Sequence, residues 1–187
     1  MVIVDDRPDL HVLIGRRRPG DFVGGMLVYP GGAVDADDWR LGPLRCPGIT
    51  APDLSPAAAA GYLHAAIRES REEVGLWPDP DATIDGGRFA AVGHWITPEE
   101  VPRRYDTRFF LARHPGGAPR AADDEFVDVW WERPAAILER LEQGEVEAIA
   151  PTISFLTSLS QYRHVGDAFA GTDRGIRREF DWGITTF

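Results

Sequence analysis

Arg68-Glu69-Ser70-Arg71-Glu72-Glu73-Val74-Gly75-Leu76 is the stretch that decides how this chain is read. A helix turns by about 100° per residue, so Glu69, Glu72 and Glu73, at i, i+3 and i+4, project from one side. Three acids this close repel one another, and oxygen-only clusters of this kind suit Mg²⁺ or Mn²⁺. Upstream, Ala59, Leu63, Ala66, Ile67 and Val74 recur at helical spacing and form an apolar stripe about 120° from the acids. Ser55-Pro56 supplies an N-cap followed by proline at the first helical position, and Gly75 supplies a left-handed stop. Residues 55–74 are therefore predicted to form a long helix, with one face on a core and another carrying acids. Taken alone, the pattern fits a solvated acidic face as well as a metal site.

A second segment bears on that choice. Tyr29-Pro30-Gly31-Gly32-Ala33-Val34-Asp35 follows the apolar run Met26-Leu27-Val28. Paired glycines after a proline let the backbone approach a ligand and present carbonyls or amides to it. Together the two segments resemble the Nudix hydrolase motif, G-x5-E-x7-R-E-U-x-E-E-x-G-U, where U is a bulky aliphatic residue. Gly32, then Asp38 in place of the first glutamate, then Arg68 through Leu76 satisfy it with three departures. The early acid is Asp, Ser70 occupies an aliphatic position, and 29 residues (39 to 67) stand where the pattern has seven. Residues 39–54 are rich in Pro and Gly and read as an excursion that leaves and returns. The Ser70 hydroxyl is expected to bond a backbone carbonyl one turn back. An interrupted box of this sort resembles the branch of the family that includes the peroxisomal coenzyme A diphosphatase. Trp95-Ile96-Thr97-Pro98 and the run from Arg104 to Ala112 resemble that branch too.

The resemblance implies an α/β/α sandwich with a mixed sheet, and metal-dependent hydrolysis of a diphosphate linkage using Mg²⁺ or Mn²⁺. It implies that Glu72 and Glu73 match metal ligands and that Glu69 matches a residue that binds metal or takes a proton from water. Arg68 matches a residue that orients the glutamates, with Asp38 in the place of its acidic partner. The carbonyl of Gly32 is a further candidate ligand from the loop. Glu125, in Asp123-Asp124-Glu125, is the first choice for a general base, with Glu99-Glu100 as the alternative. Arg17 and Arg18, within Arg16-Arg17-Arg18 at a strand end, are candidates for gripping a phosphate, as are Gly31 and Arg104; each arginine also fits a solvated surface. The substrate expected is a small nucleotide-like compound, with coenzyme A or an acyl-CoA suggested by the branch and ADP-ribose or dinucleotides left open. A non-catalytic module that binds a nucleotide or a protein is the alternative of another class.

Composition narrows the partners. The 187 residues carry a formal charge of −10, which argues against polymeric nucleic acid. All 20 basic residues are arginine, so a fixed phosphate contact must come from an arginine fork or a backbone amide. No apolar run has membrane length, and Met1-Val2-Ile3-Val4 is too short for a signal peptide, so no membrane partner and a cytoplasmic setting are expected. Cys46 is the single cysteine, which excludes an internal disulfide.

Strands are predicted at 1–4, 11–17, 26–29, 89–96, 104–113 and 126–132, and helices at 55–74, 134–143 and 151–162. Interleaved in this order they give an α/β fold, a mixed sheet between helices. Residues 1–163 are taken as the domain, with 39–54 inserted in the box. Residues 164–187 are taken as a tail whose Phe169, Phe180, Trp182 and Phe187 pack on the domain or on a partner subunit, which leaves a homodimer open.

Overall fold

Apolar residues that alternate along the strands set the layers. The computed structural model describes residues 1–20, 23–42, 45–46, 48–49, 51, 53–77, 79, 81–97, 99–100, 104–121 and 125–172. Strand β1 (Val2–Asp6) pairs antiparallel with β2 (Leu10–Arg17), Val4 standing opposite Val12. Strand β2 is the axis of the sheet. One of its edges carries β6 (Phe126–Glu132), from Val12 opposite Glu132 to Arg17 opposite Phe126. Its other edge pairs with β1 and then with the short β3 (Leu27–Val28), through Gly15 opposite Val28. Strand β1 also lies parallel to β5 (Asp106–Arg113), which pairs antiparallel with β4 (Phe89–Ile96).

The helices are α1 (Ala36–Leu41), α2 (Pro56–Val74), α3 (Pro134–Glu142), α4 (Ala150–Leu159) and α5 (Val165–Thr172). Ile3, Leu13, Phe110 and Phe126 share one core with Ala59, Leu63 and Ile67 of α2. Val2, Val4, Val12, Ile14 and Leu111 share a second core with Ile137, Leu156, Leu159 and Val165. Neighbouring residues of one strand thus feed opposite cores, which is the α/β/α sandwich with a mixed sheet. Cutting a fully buried leucine such as Leu63 to alanine costs about 2–5 kcal/mol at positions of this kind. Among the described residues no helix is long and apolar enough to cross a membrane.

Helix α2 ends as its sequence requires. Ser55 Oγ accepts the Ala58 N–H, and Gly75 closes the helix at φ 71°. The Ser70 hydroxyl donates to the Ala66 carbonyl at 2.7 Å, so it is buried with its bonding met inside the helix.

Helix also forms at the start of the inserted stretch and in the stretch taken as a tail. The start of the inserted stretch is part of α1, where the Asp35 N–H donates to Asp38 Oδ2 at 2.8 Å. Trp39 stands edge-on to Tyr62 of α2, with centroids 5.3 Å apart. Gly61 makes room for it, since a Cβ there would lie 2.2 Å from the Trp39 ring. The inserted stretch continues onto the core of α2: Cys46 and Ile49 are buried, His64 Nε2 stands 3.1 Å from the Gly42 carbonyl, and Asp53 pairs with Arg108 of β5. Burial pushes the Cys46 thiol up to about 11. Helix α5 lies in the stretch taken as a tail and packs on the domain: its Val165 N–H donates to Asp6 Oδ1 and its Phe169 packs on the second core. Phe180, Trp182 and Phe187, like Asp123 and Asp124, lie outside the described residues.

Candidate active site

The loop after β3 and the last turns of α2 meet, although 29 residues (39 to 67) separate Asp38 from Arg68. A Cβ on Gly32 would lie 2.5 Å from the Glu69 carboxylate, so glycine lets the loop close on that carboxylate without displacing it. The Gly31 N–H donates to Glu73 Oε2 at 2.7 Å.

Arg68 holds the outer half of this arrangement. Its Nη1 donates to Glu69 Oε1 at 2.8 Å and to Glu72 Oε2 at 3.2 Å. Its Nε and Nη2 donate to the two Asp38 oxygens at 3.3 and 3.0 Å, and Nη2 also reaches the Ala33 carbonyl at 2.8 Å. The short aspartate reaches because α1 carries Asp38 to the guanidinium, where it is buried. The bonds to Asp38, then those to Glu69, hold Arg68 more firmly protonated against the opposing effect of burial.

Glu73 turns inward, its side chain 5 % exposed. Burial pushes its carboxyl up to about 8; the neighbouring Glu125 and Glu69 add to the rise, and the Gly31 N–H opposes it. Glu73 Oε1 is buried and has no hydrogen-bond partner. Glu125 receives Arg17 Nη2 at 2.7 Å, and Arg17 Nη1 stands 3.9 Å from Glu73 Oε1. Burial raises Glu69 as well, with Arg68 opposing.

The structure thus brings Gly31, Gly32, Asp38, Arg68, Glu69, Glu72, Glu73, Glu125 and Arg17 into one neighbourhood, though not in the form expected. The three glutamates do not converge on one point. Glu69 and the half-exposed Glu72 face Arg68, whereas Glu73 faces Gly31 and Glu125. Among the described residues no group of three or more acidic, imidazole or thiol side chains is already arranged to hold a metal ion. Arg104 is engaged elsewhere: it lies just before β5, and its Nε donates to the Thr97 carbonyl, closing the β4–β5 hairpin. Arg18 is exposed, with its backbone N–H on the Glu125 carbonyl at 2.8 Å. Glu99 and Glu100 are exposed in their loop. The pairing of Arg17 with Glu125 was not anticipated; the register of β2 against β6 produces it, by setting Arg17 opposite Phe126.

A crowd of carboxylates with a buried oxygen lacking a donor fits a hard divalent cation, which takes oxygen ligands and relieves their repulsion. Comparison with protein-family models and with curated protein sequences yields no match. Among solved structures, the Nudix hydrolase from Alicyclobacillus acidocaldarius superposes with a TM-score of 0.78 at 26% identity, over 90% of this chain and 92% of that one. The chain has the Nudix hydrolase fold. The NUDIX domain of Shewanella oneidensis NrtR, solved with ADP ribose, shares this fold at TM-score 0.53 and 16% identity, over 83% of this chain and 80% of that one. RenU, a Nudix hydrolase from M. smegmatis, shares it at TM-score 0.50 and 14% identity, over 86% and 80%. The first likeness, joined to the Nudix loop and helix described above, supports a Nudix-type diphosphate hydrolase.

Proposed function

We propose that this protein is a Mg²⁺- or Mn²⁺-dependent hydrolase that cuts the diphosphate linkage of a nucleoside diphosphate derivative into two phosphorylated products. The observation that carries the reading is the closure of Gly31 and Gly32 on Glu73 and Glu69, with Glu73 Oε1 buried and lacking a donor. Glu69, Glu73 and Glu125 would hold the cation, with the Gly32 carbonyl as a ligand from the loop and Glu72 joining on release from Arg68. A bound cation there screens the diphosphate charge, acidifies a water and orients the leaving phosphate.

The residues around that position have separable tasks. Arg68, fixed by Asp38, restrains Glu69 and Glu72 so that their oxygens are presented from a rigid helix. The Gly31 N–H keeps the Glu73 carboxyl from rotating away. Glu125, half exposed and outside the helix, is also the base assigned to the attacking water, through the carboxylate oxygen that the cation leaves free. Coenzyme A and its thioesters are the substrates favoured by the interrupted box, and ADP-ribose, bound by the NrtR neighbour, is the first competitor.

The test is a panel of coenzyme A, ADP-ribose and dinucleoside polyphosphates incubated with Mg²⁺ or Mn²⁺, with products identified by mass. Cleavage at a diphosphate linkage, reduced at least about 100-fold in Glu69→Gln, is expected. No cleavage of any member, or full activity in Glu69→Gln, contradicts the reading.

A further inference from the structure

We propose that Arg17 is a built-in tether that competes with the divalent cation for Glu73 and Glu125, and that it must let go of them for the cation to bind. The inference rests on the metal-dependent reading above and adds a residue that sets how tightly the site takes its cation.

The chain itself positions the tether. The antiparallel register places Arg17 opposite Phe126, so Glu125 arrives beside it at the strand end, and the register shifts between Arg16 and Arg17. Arg17 Nη2 then donates to Glu125 Oε2 at 2.7 Å. Its Nη1 stands 3.9 Å from Glu73 Oε1, too far for a hydrogen bond but close enough to offset charge. Both partners are left incomplete: Arg17 Nε is buried with no acceptor, and Glu73 Oε1 is buried with no donor.

Arg68 makes the contrast. It has acceptors at each of its three nitrogens, on Asp38, Glu69, Glu72 and the Ala33 carbonyl, so it is fixed in place. Arg17 makes one good bond and leaves a buried N–H unmet, so little holds it once Glu125 turns to another cation. A guanidinium and a divalent ion cannot both occupy the space between Glu73 and Glu125. While the arginine stays, its bond holds Glu125 at the strand end beside Glu73. When it leaves, the same carboxyls become ligands, and the freed fork carries its charge toward the arriving diphosphate.

Removing the tether should therefore strengthen metal binding, the opposite of what loss of a substrate-gripping residue or a general packing defect would do. The test is Mn²⁺ affinity, read from the paramagnetic resonance signal of free Mn²⁺ without substrate. Arg17→Gln is expected to bind Mn²⁺ about tenfold more tightly than wild type, the effect of one nearby positive charge in a partly solvated pair. Arg17→Met, which keeps the apolar stem, should do the same and serves if the glutamine variant does not fold. Arg17→Lys keeps the charge and should stay within about threefold of wild type. Arg16→Gln should leave the affinity unchanged, since Arg16 lies over the Trp130 ring at 6.0 Å. Unchanged or weaker binding in Arg17→Gln and Arg17→Met overturns the tether, as does equal tightening in Arg16→Gln. If neither wild type nor any variant binds Mn²⁺, the metal-dependent reading fails, and the tether with it.

Discussion

Glu73→Gln is expected to make the metal-free protein more stable while weakening its response to divalent cations. In the folded protein, burial holds the Glu73 carboxyl up to about 8, against an ordinary 4.5. Between those two values the folded chain carries more protons than the unfolded chain, so the stability this group contributes is full below 4.5 and is lost as pH rises through 8. At about 1.4 kcal/mol per tenfold change the loss has a ceiling of about 5 kcal/mol. Glu125, half exposed, shares the charge with water, which brings the realised loss to about 2–3 kcal/mol. Glutamine reproduces the protonated acid: its oxygen accepts the Gly31 N–H and its amide donates to Glu125. Thermal melts in chelator at pH 8 should show the variant about 5–10 °C above wild type, with the gap closing toward pH 4.5. Saturating Mn²⁺ should raise the wild type by about 2–3 kcal/mol at 100 times its dissociation constant and raise the variant much less. A variant less stable than wild type at pH 8 in chelator, or a gap that does not shrink in acid, refutes the reasoning.

Other substitutions probe the supports of the site. Gly32→Ala places a Cβ 2.5 Å from the Glu69 carboxylate, and kcat/KM on the cleaved diphosphate should fall at least about 100-fold while the melting temperature moves by only a few degrees. Asp38→Asn removes the buried one of Arg68's carboxylate partners while Glu69 and Glu72 remain, and should cost about 1–2 kcal/mol in urea unfolding, with a loss of kcat. Gly61→Ala would gain about 1 kcal/mol on an open helix, but with the Trp39 ring 2.2 Å from the added Cβ it should lose about 1–3 kcal/mol. Adding Trp39→Ala to it should recover that loss, as a double-mutant cycle in urea would read.

Much of this was legible in the chain. Helix α2, its Ser55 cap, its Gly75 stop and its apolar stripe follow from spacing and local backbone chemistry, and the order of strands and helices gave the mixed sheet between helices. The meeting of Gly32 with Glu69 was legible only through the motif, because the 29 residues from 39 to 67 hide it from any local reading. The partition of the glutamates was not legible. Helical offsets say which side an acid leaves from, but Arg68 and the Gly31 N–H decide which way each carboxylate turns. Helix α1 was hidden by the Pro- and Gly-rich run that follows it, although Asp35 and Asp38 have the spacing of a capping box. Helix α5 contains Gly166 and Gly171, poor helix formers; packing of Val165 and Ala168 on the second core holds it. Arg17 and Glu125 were each singled out, but only strand register makes them a pair.

The account turns on a divalent cation held between the diglycine loop and the acids of α2. Anomalous scattering from a crystal grown with Mn²⁺ and a non-cleavable diphosphate analogue tests this directly. The expected result is a manganese peak about 2.0–2.3 Å from oxygens of Glu73 and at least one of Glu69 and Glu125, with the Arg17 fork swung off Glu125. A peak elsewhere on the protein, or none at a Mn²⁺ concentration that supports turnover, contradicts it.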